Sequence, residues 1–307
     1  MPFKENVSLK NFSNYKIGGE ARYFLSAGNL EELVAGLRDA SEKNLAVFVL
    51  AGGTNILVSD KGFGGAVIKP EIKHFRRDGN RIIAGAGVLI SELLDFAAKN
   101  NLSGLEWAGG LPGTLGGAIR GNAGAFGGEI KDSIKEVLSV SKENFETIRR
   151  NAEKCEFEYR SSIFKRNGQE VIAEATLELV PGAEADIRKL FEEKINYRKE
   201  RQPLEYPNIG SIFKNVPLGK FSADWQNKLV SHIKKDPFPV IPTAVLISRA
   251  ELKGKRVGNA QISEKHSNFI VNLGGASAED VLALISFAKS EIQKVFNVLL
   301  EEEIEII

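Results

Sequence analysis

The chain has a single cysteine, Cys155, among its 307 residues. An intrachain disulfide and any Cys-x-x-Cys redox or zinc motif are therefore excluded, in keeping with a reducing cytoplasm, and Cys155 reads as a buried structural thiol. Histidine is nearly as scarce. His74, His232 and His266 stand far apart, so no cluster has metal-ligand spacing and no metal is expected. Charge of one sign is missing in net terms: 41 basic residues face 40 acidic ones, for a net charge of +1. That balance removes the electrostatic reason to expect nucleic acid or an anionic membrane as a partner. No run of about 18 apolar residues occurs, and the opening MPFKENVSLKNFSNYK lacks the charged head and apolar core of a signal peptide. The expectation is a soluble cytoplasmic protein with no membrane insertion. Internal repeats and low-complexity tracts are absent too, and nothing in the sequence names a protein partner.

What is present suits an ordinary globular chain, 43% hydrophobic and 26% charged, long enough for two or three domains whose stability comes from packing. Asn29 is placed to cap a helix through Asn44 with Leu30, Leu33, Val34 and Leu37 on one face. The segments LAVFVL, GAVIKP and RIIAGAG read as strands, and ISELLDFAAKNN as a helix. Between Ile134 and Val180 the text is strand-like throughout, including CEFEYRSSIF. ADIRKLFEEKINYRKER reads as an amphipathic helix ended by Pro203 and Pro207. A second long helix opens at Ser277 with Asp280 placed for a capping box, and EEEIEII closes the chain as a strand.

Glycine is concentrated in two places, AGGTNILV at Gly52-Gly53 and LPGTLGGAIRGNAGAFGGEI from Leu111 to Ile130. Without a Cβ, successive amides can approach an anion, and positive φ values can aim them the same way. The second cluster taken alone is a ligand loop or a set of tight turns and packing contacts, and the sequence leaves both open. GAGVLI at Gly85 has Ile90 where a dinucleotide fingerprint needs its third glycine, and no GxxxxGK[ST] occurs, so a standard dinucleotide fold and a P-loop are not expected. Two such cradles suggest one long ligand with a charged middle, such as a dinucleotide cofactor.

In order, NYKIGGEARYF, LAGGTNILVSD, GLEWAGGLPGTLGGAIRGNAGAFGGEI, FEYRSSIFK, RKERQPLEYPNIGSIFKN, GNAQISEKHSNFIVN and LEEEIEII resemble the UDP-N-acetylenolpyruvoylglucosamine reductase (MurB) family, in its shorter type, over nearly the whole chain. The resemblance implies an α+β protein: a PCMH-type FAD-binding fold of two subdomains, expected at residues 1–70 and 71–182, and a C-terminal α+β substrate-binding domain at 183–307. Its last strand is allowed to return to the FAD-binding part. It further implies non-covalent FAD, NADPH as hydride donor, and reduction of UDP-N-acetylglucosamine enolpyruvate to UDP-N-acetylmuramate. That reaction serves peptidoglycan synthesis and, with it, cell shape, the cell cycle and division. Carried over by position, the FAD contacts are Gly52, Gly53, Thr54, Asn55, Pro112, Gly113, Thr114, Gly116, Gly117, Asn122, Ala123 and Gly124. The departures are Val216 with Pro217 one residue late, and Arg120-Gly121 ahead of Asn122; both bear on loop geometry.

Hydride addition to the enol ether builds negative charge on the α-carbon and its carboxylate, so the site needs fixed donors and a proton source. The resemblance assigns Arg160 to grip the carboxylate, Ser211 to donate the proton with Lys214 nearby to steady the alkoxide, and Glu303 to assist as a protonated hydrogen-bond donor. By residue type alone, Arg160 is equally an exposed strand-end arginine, Ser211 a turn serine capping its own backbone, and Glu303 part of a solvated acidic face. Tyr159, Lys214 and Asn215 are expected on the uridine diphosphate, with Arg198, Gln202, His266 and Asn268 lining the same cleft. For His266 a core or turn-stabilising role stands beside the ligand role. Rival readings are a sugar or alcohol oxidase on the same fold, which commonly tethers flavin through a His or Cys that neither glycine cluster has, and a catalytically silent flavin-binding module.

Overall fold

The computed structural model describes residues 3–235 and 238–307; Met1 and Pro2 of the opening stretch lie outside the described residues. Two units divide the chain. The first comprises residues up to Val7, Ala21–Gly52 and Gly64–Arg198; the second comprises Ser8–Glu20, Gly53–Phe63 and Lys199–Ile307. The sequence expectation puts boundaries at residues 70 and 182; Ser8–Glu20 and Gly53–Phe63, within its first segment, belong to the second compact unit, which resumes at Lys199. Their side chains fill its core, which no local pattern announces.

The two larger sheets lie mainly in the first unit. One has the strand order Lys4–Ser8, Glu20–Ala27, Phe63–Pro70, Val47–Val49, the last two parallel. The helix Leu30–Glu42, with the Asn29 side chain accepting from Glu32 N at 2.8 Å, packs Leu33 and Leu37 against Leu25 and Ile68. The other sheet is antiparallel, in the order Thr147–Asn151, Ile134–Ser141, Glu170–Glu178, Arg81–Gly85, Phe75–Asp78. Its face buries Ile82, Val137, Ala175 and Leu177 against Leu93 and Leu94 of the helix Ile90–Lys99 and against Leu115 and Ile119 of the short helix Leu115–Arg120.

Two local expectations fail here. CEFEYRSSIF is not a strand: a 3-10 turn at Glu153–Cys155, an isolated Glu158–Ser161 bridge and the helix Ile163–Arg166 replace it. Its β-branched and aromatic residues pack in turns instead of along a pleat. The helix Glu184–Arg201 forms as expected but is not amphipathic, since only Ile187 and Arg198 are buried. Successive charged residues break the apolar stripe.

In the second unit the helix Ala278–Phe296 is opened by the Ser277–Asp280 capping box and packs on the antiparallel strands Arg256–Val257, Ala260–Ile262 and Ile270–Asn272. Tyr15, Ile17 and Leu57 lie in the same core as Phe213, Leu246, Ile285 and Phe296. The Tyr15 hydroxyl donates to Ile270 O at 2.9 Å, and burial pushes the phenol's pKa above its ordinary value. The strand-like C-terminus is shorter than EEEIEII suggests: Glu305–Ile306 pairs in parallel with Ile56–Leu57.

Candidate active site

Backbone crowding explains the first glycine pair before any ligand is considered. A Cβ on Gly52 would lie 2.7 Å from Gly113 Cα, so the two glycine clusters touch main chain to main chain. At Gly53, φ is +65° and a Cβ would stand 1.9 Å from Phe12 O; only glycine fits both demands. Among the described residues nothing accepts from the main-chain amides of Gly52, Gly53, Thr54, Gly113 or Thr114. Main-chain donors with no partner in the chain look for one outside it. Bare main-chain donors in glycine-rich loops suit the oxygens of a pyrophosphate, so the residues present fit an FAD.

Further along the second cluster the polar side chains are committed to the chain itself. Asn122, fully buried with φ at +42°, donates to Glu158 O at 2.9 Å and Glu129 Oε2 at 3.2 Å. Ser162 Oγ donates to Arg120 O at 2.7 Å. These bonds pin the hairpin of Gly124–Ala125 and Gly128–Glu129 to the Tyr159-Arg160 turn, so Asn122 offers a cofactor its backbone and not its side chain. Arg160 is at the tip of that turn rather than at a strand end, with φ at +55°, between Glu158 and Ser161, which exchange both main-chain hydrogen bonds. Its Nη2 donates to Gly124 O at 2.8 Å and its guanidinium lies 5.2 Å from the Tyr159 ring centre. A positive φ on an arginine costs about 1 kcal/mol or more, and strain of that kind is retained where a side chain must be aimed.

Arg198 is buried. Its Nε donates to Gly109 O at 2.9 Å while Nη2 has no hydrogen-bond partner among the described residues, and burial lowers its pKa from the ordinary arginine value. Phe126, at the hairpin tip, sits 5.2 Å from both the Arg198 guanidinium carbon and the Tyr197 ring centre.

In the second unit, Asn208 Oδ1 accepts from Gly210 N at 3.1 Å and so caps the turn before Ser211. The Ser211 hydroxyl is half-buried and has no hydrogen bond to a described residue, so it does not cap its own backbone. The segment after it runs against the C-terminal residues: Phe213 bridges Glu302, Glu303 N donates to Ile212 O at 2.8 Å, and Lys214 N donates to Glu301 O at 2.9 Å. Lys214 Nζ meets Glu301 at 3.3 Å. Asn215 Oδ1 accepts from Thr243 N at 3.3 Å. The Asn268 side chain is consumed by Phe213, accepting from its amide at 3.1 Å and donating to its carbonyl at 2.8 Å. Asn268 therefore shapes the segment that carries Ser211. His266 packs on Phe269, and burial depresses its pKa; its buried Nδ1 has no hydrogen-bond partner among the described residues. Gln202, half-buried, follows the helix Glu184–Arg201.

The model for the C-terminal domain of UDP-N-acetylenolpyruvoylglucosamine reductase matches residues 202–307, and that for an FAD binding domain matches residues 21–143. The chain is 37% identical over 305 residues to the UDP-N-acetylenolpyruvoylglucosamine reductase of Clostridium novyi, covering 99% of this chain and 92% of that protein. It is 40% identical over 308 residues to the enzyme of that name from Carboxydothermus hydrogenoformans, with 100% and 94% covered. The chain belongs to this reductase family. The crystal structure of MurB from Thermus caldophilus is similar over 99% of both chains, with a TM-score of 0.78 and 32% identity.

As a member of the MurB family the chain also contains residues that sequence reasoning passed over. Glu129 accepts from Asn122 and meets Lys131 Nζ at 2.5 Å, organising the hairpin beside Arg160. Asn208 frees the Ser211 hydroxyl, and Thr243 holds Lys214 O and Asn215. Only the Asn-x-Gly spacing at Asn208 was a readable signal, as an Asx turn. The other two act through contacts remote in sequence.

Proposed function

We propose that this chain reduces the enolpyruvyl ether of UDP-N-acetylglucosamine enolpyruvate to the lactyl ether of UDP-N-acetylmuramate in the cytoplasm, with NADPH as hydride donor and FAD bound without a covalent link. The observation that carries the reading is the uncommitted Ser211 hydroxyl on a segment hydrogen-bonded to Glu303. When bound, FAD supplies hydride transfer from nicotinamide to the β-carbon of the enol ether. The unpartnered amides of the two glycine clusters would hold its pyrophosphate. Neither glycine cluster has a His or Cys to tether it, and Cys155 is fully buried with its thiol pushed up to about 12, unsuited to attack on a flavin.

The residues of the chain answer the charge that hydride addition creates. Arg160 pairs with the substrate carboxylate and stabilises the enolate as it forms. Ser211 Oγ gives its proton to the α-carbon, a transfer that the strongly basic enolate favours, and Lys214 steadies the alkoxide left behind. Glu303 assists at the same developing charge. Tyr159, Asn215, Arg198, Gln202 and His266 bind the nucleotide portion.

The test is an absorption spectrum taken anaerobically through two additions. NADPH should bleach the flavin band, and UDP-N-acetylglucosamine enolpyruvate should restore it. A reduced flavin that ignores the enol ether would overturn the substrate assignment, and a protein that cannot be loaded with FAD would overturn the reading of both glycine clusters.

A further inference from the structure

The peptide groups on either side of the Glu303 side chain are held by two segments distant in sequence. Its N–H donates to Ile212 O at 2.8 Å, beside Ser211. Its carbonyl accepts from Asn55 Nδ2 at 3.0 Å. Asn55 O in turn accepts from Glu305 N at 2.9 Å, and Ile56–Leu57 continue the pairing with Glu305–Ile306. Asn55 directly follows Gly53 and Thr54, whose amides have no partner among the described residues. Gly53 is itself fixed, its carbonyl accepting from Asn14 N at 2.9 Å.

We propose that Asn55 is a positioning residue for Glu303, and that through it the loop offering amides to the cofactor also sets the direction of the Glu303 carboxyl. The inference rests on the reading that Glu303 acts on the substrate. With both flanking peptides hydrogen-bonded, the Cα–Cβ bond of Glu303 has a fixed direction; loss of the Asn55 bond removes one of these restraints and loosens the aim of the carboxyl. Displacements of this kind cost rate rather than folding. Asn55, also an expected cofactor contact, gives its side-chain donor to the C-terminal segment.

The experiment separates the two half-reactions in the FAD-loaded full-length enzyme. Saturated with FAD, Asn55→Ala should slow reoxidation by UDP-N-acetylglucosamine enolpyruvate about 10- to 100-fold more than it slows reduction by NADPH. In a Glu303→Gln background the same substitution should cost less than about 2-fold, because the group it positions is already disabled. Asn55→Asp, of nearly equal size and unable to donate when ionised, should behave like Asn55→Ala and covers the case in which alanine unfolds the loop; thermal melting of each variant checks folding. Multiplicative losses in the double variant would overturn the inference, as would unchanged reoxidation or a defect cured by excess FAD. A wild-type reduced flavin that the enol ether fails to reoxidise would instead bring down the functional reading, and the inference with it, before any Asn55 variant is compared.

Discussion

Asn208 takes the turn-capping bond that a Gly-Ser pair invites, and Ser211 Oγ makes no hydrogen bond among the described residues. Ser211→Ala should therefore fold, bind flavin and accept hydride from NADPH normally, yet slow reoxidation by the enol ether about 100- to 10,000-fold, the range for losing a placed proton donor. Stopped-flow absorbance of the flavin band checks this, and wild-type reoxidation would remove Ser211 from the chemistry. Arg160 is aimed from a strained turn and anchored on Gly124 O. Arg160→Lys keeps the charge but loses the planar fork, so reoxidation should fall at least about 10-fold, read in the same assay. Cys155 gives a pH prediction. Its thiol is raised from 9.0 to about 12, chiefly by burial. In the unfolded chain it ionises first, so its contribution to stability is complete below about pH 9 and is lost as pH rises toward about 12. Cys155→Ala should flatten the fall in melting temperature across that interval relative to wild type.

At the level of elements, Asp60 closes the N-terminus of the helix Ala278–Phe296 from another part of the chain. Its carboxylate accepts from Ala278 N at 2.8 and 3.0 Å and from Glu279 N at 3.3 Å, next to the Ser277–Asp280 capping box. First-turn amides and the helix dipole both favour a negative group there. Asp60→Ala should destabilise the protein by about 1–2 kcal/mol in urea unfolding, with Asp60→Asn milder because it can still accept. An unchanged midpoint for Asp60→Ala would show that the local capping box alone suffices. The helix Glu184–Arg201 makes the contrasting case: helix-forming residues set it up, while its one deeply placed polar residue, Arg198, is held by Gly109 O.

Across the whole molecule the second unit is assembled from three separated stretches. Tyr15, Ile17 and Leu57 fill the core of residues 199–307, Asn272 Nδ2 donates to Tyr15 O at 2.9 Å, and the last strand has Ile56–Leu57 as its partner. The C-terminal match at 202–307 is thus a stretch of sequence whose core is completed elsewhere. A fragment of residues 199–307 expressed alone should lack cooperative unfolding and dispersed amide resonances. A well-dispersed spectrum would show that the N-terminal side chains are dispensable for its fold.

Local physics was legible in the sequence. The Asn29 cap, the Ser277 capping box, the main strands and the glycine clusters follow from propensity, periodicity and the missing Cβ, which act over a few residues. The family blocks pointed to Arg160, Ser211 and Glu303 by position, without their surroundings. Tertiary structure alone decided what those surroundings are. Gly53 is glycine because Phe12 O occupies the space of a Cβ, Asn122 and Asn268 spend their side chains on distant backbone, CEFEYRSSIF turns where its composition favours a strand, and Ser8–Glu20 and Gly53–Phe63 join residues 199–307 in one compact unit. Each of these outcomes depends on a partner far away in sequence, and no local pattern encodes which distant atom a side chain or peptide will meet.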